Sequence, residues 1–301
     1  MAKKILVTGG TVFVSRFVAE YYVRQGAEVY VLNRGSKPQS EGGALLQADR
    51  HDLKDMLKGY HFDAILDVTS YDAADVEDLL DAVGSYDAYV LISSSAVYPE
   101  YVAQPFAEEG PLGENRFWKK YGTDKIEAER ALLQRDAKAY ILRPPYLYGP
   151  MNNVYREAFV FDCALQNRKF YLPKDGQMKL QFFHVEDLCR FIDVILEQKP
   201  EQHIFNVGNQ ESVSVRDWVR LCYQVAGKEA EFVTVATDVE QRKYFPFYDY
   251  EYYLDVTAQE SLMQETKNLE VGLREAFAWY VENREQVNRK NYFEFIDDNL
   301  V

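Results

Sequence analysis

The run Lys4-Ile5-Leu6-Val7-Thr8-Gly9-Gly10-Thr11-Val12-Phe13-Val14-Ser15-Arg16 decides how the rest of the chain is read. Three apolar residues of strand character pass through Thr8 into two glycines, and Phe13 to Arg24 continue at helical spacing. Glycine at a strand end permits a tight turn. The helix behind it offers unpaired N–H groups and the positive end of its dipole to an anion. A dinucleotide pyrophosphate needs this context, and Gly9, Gly10, Thr11, Val12 and Phe13 would form the cradle. A three-glycine fingerprint sets glycines at positions 9, 12 and 15. Here Val12 and Ser15 stand in two of those places; Ser15 is small enough for helix–strand packing, whereas Val12 is bulkier than close backbone approach favours. From the loop alone, a tight turn that binds nothing accounts for the same residues.

Outward from this turn, Ile5–Val7, Val29–Leu32, Ala64–Val68, Tyr89–Ile92 and Tyr140–Leu142 read as buried strands. Phe13–Arg24, Asp52–Lys58, Ala73–Val83 and Thr123–Leu133 have the spacing of crossover helices between them. The alternation predicts an α/β fold, a Rossmann-type doubly wound parallel sheet. After Gly149-Pro150 the pattern loosens, then returns with Phe182–His184 and Ile204–Val207 as late strands. The expected organisation is a dinucleotide-binding lobe over residues 1–150, joined by about 181–208. A smaller mixed substrate lobe is built from 151–180 and 209–301, with the substrate in the cleft between lobes. The aromatic-rich stretch Tyr244–Tyr253 reads as a packing surface between the two.

Composition excludes several classes. The 301 residues are 47% hydrophobic and 27% charged, which excludes a disordered chain, and no run of eighteen apolar residues suits a membrane span. The apolar stretch after Lys3-Lys4 is too short for a signal peptide, so a cytoplasmic location is expected. Cys163, Cys189 and Cys222 form no CxxC pair, and His51, His61, His184 and His203 lack ligand spacing, so no metal is expected. A net charge of −14 argues against nucleic acid as a partner but allows one small anion at a helix terminus.

The second strand ends at Leu32-Asn33-Arg34-Gly35, where ribose recognition belongs. An acid there would bind both hydroxyls of NAD. Asn33 is uncharged and Arg34 can pair with the 2′-phosphate of NADP, which favours NADP over NAD; as a plain turn residue Arg34 would simply be solvated. Tyr121-Gly122-Thr123-Asp124-Lys125 sets a phenol and an ammonium on one helical face. A nearby cation favours the phenolate that a tyrosine needs to act as a base. With 23 tyrosines in the chain this spacing also arises by chance, so position discriminates: Ser93-Ser94-Ser95 lies at the carboxyl edge of the sheet, where doubly wound proteins bind ligands.

These features occur in a fixed order: Thr8-Gly9-Gly10, Ser93-Ser94-Ser95-Ala96-Val97-Tyr98, Tyr121 with Lys125, Arg143-Pro144-Pro145-Tyr146-Leu147-Tyr148-Gly149-Pro150, His184-Val185-Glu186-Asp187-Leu188 and Phe205-Asn206-Val207-Gly208. In that order they resemble the NAD-dependent epimerase/dehydratase family of the extended short-chain dehydrogenase/reductase superfamily. The resemblance implies catalytic roles for Ser94, Tyr121 and Lys125, and cofactor contacts from Asp49, Arg50, Ser93 and Pro144 as well as Tyr121 and Lys125. In the implied chemistry Tyr121 exchanges a proton with a substrate hydroxyl that Ser94 holds, hydride passes to or from the nicotinamide, and Lys125 holds the ribose and lowers the phenol's pKa. The implied substrate is a small molecule, a sugar or sugar nucleotide. The implied assembly is a homodimer pairing the helix after Tyr71 with the one carrying Tyr121.

Departures from the family pattern narrow this reading. Ser95 and Ala96 replace the acidic pair of sugar-nucleotide dehydratases, which disfavours dehydration and leaves epimerisation or reduction. Leu180-Gln181 replaces an Arg-Asp pair that anchors the nucleotide, and with the Gly-Gly-Thr-x-Phe turn and Asn33-Arg34-Gly35 is similar to the branch containing chloroplast stem-loop-binding proteins. Some of those associate with RNA, a role the net charge opposes here. A non-catalytic NADP(H)-binding regulatory protein stays open as the alternative to an enzyme.

Overall fold

The computed structural model describes residues 2–235 and 238–301, and in it the opening run forms strand β1 (Lys4–Thr8) and helix α1 (Phe13–Arg24). Ile5 to Thr8 are buried throughout, as a central parallel strand covered on both faces must be. The other strands of the main sheet are β2 (Glu28–Asn33), β3 (Ala44–Gln47), β4 (Ala64–Asp67), β5 (Tyr89–Ile92), β6 (Tyr140–Arg143) and β7 (Ile204–Asn206). All pairings are parallel, in the order β7-β6-β5-β4-β1-β2-β3. The order reverses between β1 and β4, so the crevice of a doubly wound sheet opens at the carboxyl ends of β1, β4 and β5.

The remaining major helices are α2 (Ala73–Ala82), α3 (Lys120–Arg135), α4 (Glu157–Leu165), α5 (Val185–Gln198) and α6 (Val215–Val225). Alternation along β1 sends Ile5 and Val7 to the face covered by α1 and α5, where Phe17, Val18, Leu188 and Ile192 pack. Leu6 points to the other face, against Val76 and Leu79 of α2 and Leu132 of α3. A third core gathers Phe159, Trp218, Phe245, Phe247 and Leu273 around α4 and α6. Local chemistry fixes the helix ends: the Asp72 carboxylate caps α2 at the Asp75 N–H (3.1 Å), Ser214 caps α6 at the Asp217 N–H (3.1 Å), and Gly26 at φ +81° follows α1. No helix among the described residues is long and apolar enough to cross a membrane.

Two expectations are corrected, and one strand was not anticipated. Asp52–Lys58 is not a helix: Arg50–Asp52 forms one 3₁₀ turn, Lys54 takes φ +49°, and successive turns still bury Leu53 and Leu57 in the sheet core. The edge strand β3 went unread because Ala44-Leu45-Leu46-Gln47 holds no β-branched residue and is mostly exposed. Phe182–His184 is a strand, but it pairs with Tyr146–Tyr148 away from the main sheet, and only Ile204–Asn206 joins the sheet.

Candidate active site

Both glycines of the opening turn adopt positive φ, +92° at Gly9 and +76° at Gly10, and a Cβ on Gly10 would lie 2.5 Å from Val31 Cγ1. Neither position tolerates a side chain. Val12, by contrast, is extended (φ −141°, ψ 138°), so its backbone makes no demand for glycine. Phe13 takes φ +36° instead. No side chain caps α1, whose first N–H groups face the turn. Ser15 is buried, and its Oγ donates to Val12 O at 3.0 Å. Thr11, Val12, Phe13, Arg16 and Lys37 border a hollow of about 160 Å³. Glycines held against bulk, uncapped N–H groups and two cations fit the pyrophosphate of a dinucleotide.

Asn33 is committed to shaping this turn. Its Nδ2 donates to Gly9 O (2.6 Å) and to Gln39 Oε1 (2.8 Å), and its Oδ1 accepts from Gly35 N (2.8 Å). Arg34 is exposed beside it. The Asp49 carboxylate accepts from His51 N at 3.1 Å. Arg50 reaches inward, donating to Ser70 Oγ (2.7 Å) and Asp67 Oδ1 (3.0 Å). Asp67 ends β4, fully buried, and also accepts from Thr8 Oγ1 (2.7 Å), Tyr89 OH (2.5 Å) and Ser70 Oγ.

The three consecutive serines after β5 have separate partners. Ser93 Oγ donates to Glu129 Oε1 (2.5 Å), which also receives Arg143 Nε (3.0 Å). Ser94 opens onto a cavity of about 280 Å³, where Tyr121 also lies. Ser95 Oγ donates to Tyr252 OH at 3.1 Å, and Ser95 N to Pro144 O at 2.9 Å. Helix α3 brings Tyr121 to this edge because Gly122 lets it ride against the Ala96 carbonyl; a Cβ there would stand 2.3 Å from that oxygen. Tyr121 is 40% exposed overall, yet burial around its hydroxyl pushes the phenol above its ordinary value, and the facing Ser94 hydroxyl and the Arg156 guanidinium pull it back.

Lys125 is 2% exposed and burial lowers it to about 8, against the upward pull of Asp67 and Glu129. Its Nζ donates to Ser70 O (2.6 Å) and Ile92 O (3.0 Å) and lies 5.2 Å from the centre of the Tyr71 ring. That ring, 54% exposed, is 6.5 Å from the Tyr121 ring. Lys125 and Tyr121 therefore both lie near the Tyr71 ring, and the Arg156 charge draws the phenol down. The Lys125 ammonium is turned to two backbone carbonyls.

Sequence reading missed much of the cavity wall, which includes Arg156, Arg242 and Tyr252. The packing stretch Tyr244–Tyr253 supplies buried core and wall together, Phe247 and Tyr252 doing both. Its density of phenols was the available signal. Leu180 is buried, and Gln181 accepts from Leu254 N (2.8 Å) while donating to Asn209 O (2.8 Å). His184, Glu186 and Glu275 bring three ligand-type atoms within 4.8 Å of one another, but the Lys267 ammonium binds both carboxylates, at 2.6 Å from Glu275.

Comparison with known proteins agrees with this architecture. The chloroplast stem-loop binding protein of 41 kDa b from Arabidopsis thaliana is 29% identical over 277 residues, 84% of this chain and 72% of that protein. A probable GDP-L-fucose synthase 1 from Oryza sativa subsp. japonica is 26% identical over 66% of this chain and 64% of its own length. Among solved structures, UDP-glucuronic acid 4-epimerase from Bacillus cereus, in complex with UDP-glucuronic acid and NAD, superposes with a TM-score of 0.73 at 18% identity, covering 93% of this chain and 99% of the other. UDP-glucose 4-epimerase from Thermotoga maritima gives 0.74 at 19% identity over 93% and 99%. These likenesses show a Rossmann-type fold. The model of the NAD dependent epimerase/dehydratase family matches residues 5–208, and the chain belongs to that family.

Proposed function

We propose that this chain is an NAD(P)-dependent enzyme of the epimerase or reductase type, acting on a hydroxyl or keto group of a sugar or sugar nucleotide. Ser94, Tyr121 and Lys125 are its catalytic residues, and Arg34 favours NADP over NAD. One observation carries the reading: the Ser94 hydroxyl and the Tyr121 phenol share the wall of one cavity at the carboxyl edge of the sheet. Relatives named as a fucose synthase and as sugar-nucleotide epimerases support the substrate class.

In this mechanism Tyr121 gives a proton to, or takes one from, the substrate oxygen, and Ser94 donates a hydrogen bond to the same oxygen. Lys125, already turned toward oxygen acceptors, would hold the cofactor ribose, with Gly9 to Phe13 at the pyrophosphate. A bound nicotinamide supplies the hydride acceptor or donor. Ser95 offers a hydroxyl committed to Tyr252 and Ala96 none, so the two-acid elimination of a dehydratase has no residues at these positions. The same reading assigns a homodimer through α2 and α3.

Tyr121→Phe tests the proposal on a panel of sugar nucleotides with either cofactor. Turnover should fall at least a thousandfold, while NADPH affinity, read by fluorescence, changes less than twofold. Equal rates in the two proteins would remove Tyr121 from the mechanism, and a non-catalytic cofactor-binding protein would show no turnover in either.

A further inference from the structure

Acidic side chains exceed basic ones by 14 in this chain, yet the cavity beside Tyr121 is lined by Arg156, Arg242 and Lys290 and by no Asp or Glu. Among the described residues none of these three cations has a carboxylate within 4.0 Å. Elsewhere in the site arginines are paired: Arg50 with Asp67, and Arg143 with Glu129. Glu157, next in the chain to Arg156, points its carboxyl at Asn152 Nδ2 (2.7 Å). Arg156 and Arg242 are half-buried and held over aromatic rings, 5.5 Å from the centre of Tyr146 and 4.7 Å from that of Tyr248. Arg156 lines the cavity, and its charge acts on the phenols of Tyr121, Tyr146, Tyr252 and Tyr292 as well as on the buried Glu157 carboxyl. Half-buried cations with no carboxylate in salt-bridge contact leave a place for a counter-charge, which an anion entering the cavity would supply.

Two further observations limit the ligand's size and character. Tyr146 lines the cavity with its hydroxyl buried beside the Tyr252 phenol, so the wall adds polar groups to the three cations. At about 280 Å³ the cavity falls at the foot of the roughly 300–1,000 Å³ typical of small-molecule pockets. One hexose ring with an acidic substituent matches that space, whereas a nucleoside diphosphate would have to extend beyond it.

We infer that the substrate held here is an anionic monosaccharide without a nucleoside, its phosphate or carboxylate bound by Arg156 and Arg242 with Lys290 at the rim. This rests on the proposed function and narrows it.

The test is calorimetric titration of the NADP-saturated protein with glucose 1-phosphate, glucose 6-phosphate, glucuronate, glucose and UDP-glucose. At least one anionic monosaccharide should bind, glucose at least tenfold more weakly, and UDP-glucose no tighter than glucose 1-phosphate. The phosphate and carboxylate arms tell which acid is preferred. Arg156→Gln and Arg242→Gln should each weaken the anionic ligand at least tenfold with NADPH affinity and melting temperature preserved, and Arg156→Lys should recover part of the loss. Lys290→Gln, at an exposed position, should weaken binding two- to fivefold even if an arginine variant misfolds. No binding of any anionic sugar, equal binding of glucose, a tenfold advantage for UDP-glucose, or charge variants without effect would each overturn the inference. All these readouts are affinities. If they fail while Tyr121→Phe still abolishes turnover, only the substrate assignment is lost; if Tyr121→Phe leaves turnover intact, the enzyme reading fails first.

Discussion

Replacing Asp67 by Asn should cost about 3–5 kcal/mol of folding stability, the range for breaking a buried ion pair by removing one partner. Asp67 is fully buried, and its two oxygens accept from Thr8, Arg50, Tyr89 and Ser70. Burial alone would raise its carboxyl, but the Arg50 charge and the hydroxyl donors outweigh burial and hold it below its ordinary value. An asparagine turns an NH₂ toward two of those donors, so two charge-assisted bonds of about 1.5–3 kcal/mol each are lost, which agrees with the first figure. With a urea slope of about 3 kcal/mol/M, the unfolding midpoint should drop by roughly 1–1.7 M. A depressed carboxyl contributes its stability in full above the unfolded pKa and loses it as pH falls through the folded one. The gap between wild type and variant should therefore persist from pH 8 to pH 5 and close below pH 4. Thr8 Oγ1 also accepts from Val68 N (2.9 Å) and Thr69 N (3.1 Å), so the variant should loosen the phosphate turn and weaken NADPH as well. A midpoint shift under 0.3 M, about 1 kcal/mol at that slope, would refute the ion-pair account.

Three other substitutions probe separate parts of the molecule. Gly122→Ala puts a methyl 2.3 Å from the Ala96 carbonyl, so it should destabilise by about 1–3 kcal/mol and lower kcat/KM at least tenfold with little change in NADPH affinity; unaltered kinetics would show that α3 can shift without moving Tyr121. Burial, aided by the Lys267 charge, drives His184 from 6.5 to about 3, so protons favour the unfolded chain below pH 6.5. At pH 5 this should remove about 2 kcal/mol relative to pH 7.5, a loss that His184→Asn, which keeps an N-cap acceptor, should largely abolish in urea titrations. Arg34→Asp should shift the ratio of NADP to NAD affinity at least tenfold toward NAD, and an unchanged ratio would remove Arg34 from the cofactor site.

What the sequence made legible follows period and punctuation. Ile5, Leu6 and Val7, Tyr89 to Ile92 and Tyr140 to Leu142 are continuous apolar runs because their strands are covered on both faces, and such runs are visible without coordinates. The edge strand at Ala44–Gln47 is covered on neither face to the same degree and leaves no such trace. Leu53 and Leu57 have helical spacing, but the positive φ of Lys54 satisfies their burial through turns. Ser94 and Tyr121 could be assigned to one region from the sequence because a sheet's carboxyl edge is a defined place, and both line one cavity. Arg156, Arg242 and Tyr252 were not, since they come from segments after residue 150 that reach the cavity only through tertiary packing; nothing in local spacing ties Arg156 to Tyr121.

The three serines after β5 show how the fold separates support from chemistry within adjacent residues. Ser93 turns its hydroxyl to Glu129, which also holds Arg143 through two nitrogens, at 3.0 and 2.6 Å, while Arg143 bonds Tyr98 OH at 2.9 Å. Ser95 turns to Tyr252 and so ties the sheet edge to the C-terminal segment that walls the cavity. Between these two anchors the backbone has little freedom, and Ser94 is left as the one hydroxyl of the three facing Tyr121. On the other side of the opening the Asp67 cluster fixes Ser70, whose carbonyl holds Lys125. A cavity that only bound a regulator would need its charge and its shape. Here two buried charge networks, one on each side, fix the segment that carries Ser94 and the carbonyl that holds the buried Lys125. Under the proposed function this rigidity serves proton transfer, because small displacements of the reacting groups are costly in rate.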